Sequence, residues 1–397
     1  MKSIRLNASV IAAAVVLAIP SVASAGFWRA VECSAEVGTD WENAAEWGAA
    51  VAGARATGLI SDQSSCDNYV SVAALTGVLG DPDIGHCECE FLFNPSEHQA
   101  SWYGWIGNQG TTSRRVAAAY SSASGTIDSY VRGDDGFIYQ RWWNQSGWGP
   151  TADGWLMHPQ MTTYYDPEVV YWNGTPFLYL VDAAGTGHEW HFDGYAWLPS
   201  KYFAPKGLES GITTYLDPFT NVLNVFALCQ GSHLCGAHWQ NGVWSAWTVI
   251  DWSTVLTGPP TAAGYPSVVG FPSVIAIAAR GPNGSVVMKQ WISGGYGWTG
   301  WSDLGGLIQP GDAVAIDSPV TGSFDLFVRG MDNALYAKLW DGSYGVGVVP
   351  HWVPSQSGWQ GLDSFQMGQS PRSIGNLSSR HVFSTRTDHH AMYKAYY

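Results

Sequence analysis

Asp325-Leu326-Phe327-Val328-Arg329-Gly330-Met331-Asp332-Asn333-Ala334-Leu335-Tyr336, followed by Trp340-Asp341-Gly342, is the stretch on which the fold turns. An apolar run ends at Arg329, Asp332-Asn333 turns the chain, and a second run from Leu335 reaches Trp340, eleven residues after Arg329. Apolar, β-branched and aromatic runs joined by Gly, Asn and Asp, which tolerate positive φ, read as a β-hairpin. The unit recurs: Arg132 leads to Trp143, Val181 to Phe192, Leu228 to Trp239, Arg280 to Trp291 and Arg386 to Tyr397, always over eleven residues. Successive copies start 49, 47, 52, 49 and 57 residues apart, and repetition at such a period marks a repeat architecture.

Working outward, an apolar stretch precedes most hairpins (Val116–Tyr120, Val169–Trp172, Val314–Ile316) and another follows, as Trp244-Ser245-Ala246-Trp247 and Trp298-Thr299-Gly300-Trp301. Four short strands per repeat make one propeller blade, so residues 98–397 read as an all-β, six-bladed β-propeller. The sixth copy stops at Tyr397 without a fourth strand, while Trp102-Tyr103-Gly104-Trp105 has no complete hairpin before it. Residues near Ala100 to Ile106 are therefore expected to supply the outer strand of the last blade, which removes the free seam.

The chain begins with Lys2 and Arg5, an apolar stretch from Val10 to Ile19, and Ala23-Ser24-Ala25. This is the layout of a secretory signal peptide over residues 1–25, too short to span a bilayer, and it predicts an extracellular or periplasmic protein. Residues 26–97 read as a small acidic, helical, disulfide-stapled module. Thr39-Asp40-Trp41-Glu42 is a capping box for an Ala-rich helix, and Ser64 or Ser65 caps a second.

All six Cys lie in the exported part, where oxidation is the rule. Cys229 and Cys235 flank a short turn and are expected to pair. Cys33, Cys66, Cys87 and Cys89 supply two further bridges with three connectivities open. His86-Cys87-Glu88-Cys89 raises the question of zinc, but the paired Cys-x-x-Cys knuckles are missing, so the reading is disulfides and no metal or other cofactor.

Net charge is −14, with twelve Asp and Glu against Arg29 and Arg55 between Gly26 and Glu97. This excludes the basic footprint of a nucleic-acid binder and makes anionic membranes poor partners, and no exported segment is long enough to insert. The sequence holds no Gly-x-Ser-x-Gly, no His-Glu-x-x-His and no phosphate loop, so it does not read as an enzyme. The sequence does not set the oligomeric state.

Nineteen of the 22 Trp lie at or after Trp102. Those at the fixed repeat place, Trp143, Trp239, Trp291 and Trp340, are expected to pack blade on blade. Trp148, Trp190 and Trp298 lie off that place, where a ring face could stack on a sugar. Arg132, Arg280 and Arg329 recur at strand ends, either as structural groups or as hydroxyl donors. Glu189, eight residues past Val181, is a carboxylate that no other copy shares.

The stretch from Asp325 to Gly342, together with Gly297-Trp298-Thr299-Gly300-Trp301-Ser302-Asp303-Leu304-Gly305-Gly306, resembles the repeat of bacterial PLL-type, fucose-binding-lectin-like propellers. The likeness covers about Ala100 to Tyr397 and is strongest in copies one, four and five. It implies several sugar sites between blades and glycans or glycoconjugates as partners. Two departures stand out: six copies rather than that family's seven blades, and no repeated Arg and Glu pairing of the kind found in fungal fucose lectins. The resulting expectation is a secreted, multivalent, carbohydrate-binding lectin. Its candidate contacts are Arg132, Trp148, Glu189, Trp190, Arg280, Trp298 and Arg329. A protein-binding scaffold is the alternative, and a glycan-active enzyme the third reading.

Overall fold

The computed structural model describes residues 106–396 except 122–123, 145–146, 152–153, 200–202, 205, 268–271, 319–321, 342–350, 364 and 376–379. Ahead of these it describes the backbone of Trp28–Ala35, Gly38–Thr39 and Ile84–Phe91. The chain divides into two compact units, residues 1–98 with 343–350, and residues 99–342 with 351–397.

In the first unit the three strands form one antiparallel sheet, with Trp28–Ala35 in the middle. Its register sets Cys33 opposite Cys87. The two expected helices, and Cys66, lie outside the described residues.

The second unit holds six separate antiparallel sheets. The eleven-residue interval is the hairpin of the second and third strands of each. In blade 5, Ser323–Arg329 pairs with Leu335–Asp341, so that Arg329 faces Leu335 and Phe324 faces Trp340. Two-residue turns such as Asn173-Gly174 and Asn241-Gly242 carry positive φ at both positions, the geometry that matches strand twist and admits few other residues. The innermost strands, Ala117–Ser121, Glu168–Trp172, Thr213–Asp217, Thr261–Tyr265, Ala315–Asp317 and Arg372–Gly375, each contact the next, and the last contacts the first. That is a closed ring of six blades. Glu168 of blade 2 ties three of them. It pairs with Arg372 of blade 6 at 3.0 Å and accepts hydrogen bonds from the backbone N and Oγ1 of Thr214 in blade 3.

Second strands such as Val274–Arg280 are buried throughout except at the closing Arg, because both faces pack on neighbouring blades. Phe226, Leu228 and Leu234 of blade 3 form one core with Ile275, Ile277 and Val287 of blade 4. Burial of this kind, at about 25 cal/mol per Å² of apolar surface, holds blade to blade.

Two details differ from the sequence reading, and a third, the closing strand, falls partly outside the described residues. The strand that closes the ring is Ile106–Thr111, antiparallel to His390–Tyr396 with Met392 opposite Gly107. Trp102-Tyr103-Gly104-Trp105 lies outside the described residues. The outer strand is also split in blades 1, 3, 4 and 5, two segments pairing with different parts of the third strand. In blade 4, Gly297–Trp298 pairs near Trp291 and Ser302–Asp303 pairs near Met288, with Thr299-Gly300-Trp301 making the step. Finally, the sixth copy is displaced by one residue. Thr385 faces Ala391 as Arg329 faces Leu335, so Thr385 and Tyr396, not Arg386 and Tyr397, occupy the repeat positions.

Candidate ligand-binding clefts between the blades

Each recurring Arg ends a second strand and reaches toward the segment leading into the following blade. Arg132 donates from Nε to the Thr163 carbonyl at 2.7 Å, and Arg280 donates from Nε to the Ile308 carbonyl at 3.1 Å. Arg329 forms a two-pronged pair with Asp312, in the segment leading into its own blade, both contacts 2.8 Å, and donates to the Gly368 carbonyl ahead of the following blade at 2.6 Å. A planar guanidinium with donors in a fixed fork suits this clamping of one blade to the next. Burial raises the Asp312 pKa, and Arg329 opposes that rise. Arg386 pairs instead with Asp388 of its own exposed turn.

Several outer-strand Trp are covered by cations from the third strand. Arg141 lies 5.0 Å over Trp148, which also meets Trp143 and Tyr393. Lys289 lies 5.7 Å over Trp301 and pairs with Asp251 at 2.6 Å. Lys338 lies 5.7 Å from Trp352 and 5.2 Å from Trp359, donates to the carbonyls of Ser355 and Gln356, and has its pKa lowered to about 8 by burial. Cation–π packing of this kind uses the ring face for stability. The Trp148 ring thus packs on Arg141, Trp143 and Tyr393.

Trp298 is placed differently. With Trp291 it lines a cleft of about 820 Å³ between blades 3 and 4. Blade 3 contributes Asn224, His238, Gln240 and Ser245, and blade 4 contributes Ser273 and Ser293. Phe226 meets the Trp298 ring edge-on at 6.0 Å and forms the floor. One carboxylate, Asp217, also lines the cleft, and its Oδ1 accepts from the backbone N–H groups of Phe219 and Thr220. Apolar walls with a few uncharged donors and acceptors are the usual make-up of a small-molecule site.

A second pocket, of about 380 Å³, lies where the closing strand of blade 6 meets blade 1. Gly110, Asp134, Asp135, Tyr139 and Trp155 line it. The Tyr139 hydroxyl donates to Asp135 at 2.8 Å, which raises its pKa, and Ser113 Oγ donates to Asp134. Gly110 lies so close under Trp155 that a Cβ would sit 2.6 Å from the indole nitrogen, at φ +72°. The arrangement recurs at blades 4 and 5. Gly306 lies under Trp359 at φ +70°, and the Tyr336 hydroxyl donates to Asp332 at 2.8 Å.

The structure separates two groups that the sequence reading put in one site. Arg280 faces Val286 and Ile275 faces Trp291, so the Arg and the Trp291–Trp298 pair lie at opposite ends of one strand. Five residues of extended chain set them about 17 Å apart. Glu189 accepts from the Tyr179 hydroxyl at 3.1 Å, and half-buried Trp190 packs on the core between blades 1 and 2, so neither lines the two pockets. Asn224, His238 and Gln240 were missed because their copy lacks the Arg. Trp155 and Trp359 were missed because a longer step, seven residues instead of three, separates them from Trp148 and Trp352. Their shared Pro-Thr/Ser-x-x-Gly-Trp, at Pro150–Trp155 and Pro354–Trp359, was the signal available. Cys229 and Cys235 form a disulfide across one hairpin, as expected. Among the described residues no group of three or more His, Cys, Asp or Glu is placed to hold a metal ion.

No protein-family model matches the chain, and no curated protein matches it. Solved structures do. The BP39L lectin from Burkholderia pseudomallei aligns with a TM-score of 0.53 at 18% identity, over 77% of this chain and 88% of its own. The Aleuria aurantia lectin in complex with Fucα1-6GlcNAc aligns with a TM-score of 0.54 at 12% identity, over 71% and 91%. The SapL1 lectin in complex with α-methyl fucoside aligns with a TM-score of 0.50 at 15% identity, over 70% and 90%. At these identities the likeness is one of fold.

Proposed function

We propose that this chain is a secreted, multivalent carbohydrate-binding protein that recognises fucosides or methylated sugars and carries out no chemistry on them. The observation that carries the reading is the cleft between blades 3 and 4. Two indoles stand beside uncharged hydrogen-bonding groups, and the cleft is large enough for an oligosaccharide. Sugars offer C–H faces to stack on rings and hydroxyls to bond to Asn, His, Gln and Ser. Glycoside hydrolysis needs two carboxylates facing each other across the bond. In this cleft Asp217 is the lining carboxylate, and it caps its own turn. The fold shared with lectins solved with fucosides adds support. The smaller pocket beside Trp155 is a second site, and several weak sites on one ring gain avidity on a glycan-coated surface.

A glycan array combined with a reducing-sugar release assay tests this. Binding without release supports the proposal, and release of sugar contradicts it. Binding to no glycan contradicts the proposal and favours the alternative of a protein-binding scaffold. For single sites, calorimetry with methyl α-fucoside should give a dissociation constant on the order of 0.1–1 mM, about −4 to −5.5 kcal/mol.

A further inference from the structure

Three turns bound the cleft between blades 3 and 4 on one edge of the sheets: Asp217 to Val222, Gln240 to Val243, and Ile292 to Gly297. Residues of all three line the cleft, among them Thr220, Gln240 and Ser293. Phe219 and Tyr296 stand within the first and third turns and Val243 opens the strand after the second, and they are 71%, 78% and 68% exposed. Single exposed apolar residues are ordinary, but here three belong to turns whose other residues line one cleft. The corresponding turns of blade 1 carry Ser124-Gly125 and Asn144, while that between the third and fourth strands of blade 2 carries Tyr195, 95% exposed. Apart from Asp217, which is buried, the three turns hold no charged residue, in a chain of net charge −14.

We infer that the cleft takes the head group of a glycolipid, with Phe219, Val243 and Tyr296 resting in the interface of the bilayer that carries it. The inference deepens the glycan-binding reading and rests on it. Aromatic and aliphatic side chains partition into the head-group boundary of a bilayer, and charge around them opposes that. Uncharged turns on an acidic chain fit a neutral or zwitterionic surface, since anionic lipids would repel the rest of the molecule. A sugar that reaches the cleft from such a surface brings its apolar anchor to the cleft mouth, beside the turns that carry these three residues.

The test compares wild type with the triple variant Phe219→Ser, Val243→Ser, Tyr296→Ser. One probe is soluble methyl α-fucoside; the other is phosphatidylcholine vesicles containing an α-fucosyl lipid. The triple variant should bind methyl α-fucoside as wild type does and bind the vesicles about tenfold more weakly, a difference of about 1.4 kcal/mol. Hydrogen exchange in wild type should slow in the three turns on vesicles and stay unchanged with methyl α-fucoside, a readout that needs no variant. Equal vesicle binding by both proteins, without protection of the turns, overturns the inference and leaves sugar recognition intact. Loss of self-association in the variant, seen by sedimentation with vesicle binding unchanged, assigns the three residues to a contact between copies of the chain and also overturns it. If wild type binds neither probe, glycan recognition itself has failed.

Discussion

Replacing Arg329 by Ala separates the two roles open to the recurring arginines, blade clamp or sugar contact. Its guanidinium holds Asp312 through two contacts of 2.8 Å and the Gly368 carbonyl through one of 2.6 Å, and both side chains are largely buried. Removing one partner of a buried pair leaves a charge without compensation and costs about 3–5 kcal/mol. Arg132 binds carbonyls only, so Arg132→Ala should cost less, about 1.5–3 kcal/mol. The Asp312 carboxyl titrates above its ordinary value because of burial, and loss of Arg329 raises it further. A group with a raised folded pKa destabilises the fold where it is ionised and ceases to do so once protonated. The deficit of Arg329→Ala should therefore be full near neutral pH and shrink as pH falls toward 4, roughly the unfolded carboxylate value. Urea unfolding followed by Trp fluorescence at a series of pH values measures both quantities. A deficit below about 1 kcal/mol, or one independent of pH, would refute the clamp, because an exposed pair contributes no more than that. The same variants should keep their affinity for methyl α-fucoside.

Acid should act on two buried groups in opposite directions. Burial lowers His381 to about 4, so stability is lost as pH falls from about 6.5 to 4, by up to about 3 kcal/mol. Burial raises Asp317 to about 6, so stability is gained as pH falls from about 6 to 3.8, by a similar amount. Relative to wild type, His381→Gln should thus gain stability on acidification and Asp317→Asn should lose it; parallel profiles for all three would contradict these assignments. Deleting residues 392–397 removes most of the strand that receives Ile106–Thr111 and opens the ring, so an unchanged melting temperature would refute the closure. Reducing the Cys229–Cys235 bridge should cost about 2 kcal/mol, little because the loop is short, and peptide mapping that finds either Cys free would disprove it.

The ring could be read from the sequence because each hairpin places two strands in fixed register, and a fixed register is a fixed interval. The same reading slipped in the sixth copy, where Thr385-Arg386 and Tyr396-Tyr397 offer two equally spaced pairs and strand pairing alone chooses between them. The site was less legible. The repeat aligns Arg280 and Trp291 in every comparison of copies, but an interval does not say that they point to opposite ends of a blade. Family likeness also favoured the copies that keep the Arg, whereas most of the larger cleft comes from blade 3, which lacks it. The cations over Trp148, Trp301 and Trp359 arise from third-strand positions whose role appears only when the outer strand folds back over them.

The most direct test is a crystal structure of the protein soaked with a fucosylated oligosaccharide. The account predicts a sugar between blades 3 and 4, with a pyranose face within about 4 Å of the Trp298 or Trp291 ring, the contact distance of apolar groups. It predicts hydroxyls bonded to Asn224, His238 or Gln240. A cleft without sugar, beside sugar held at Arg132, Arg280 or Arg329, would contradict it.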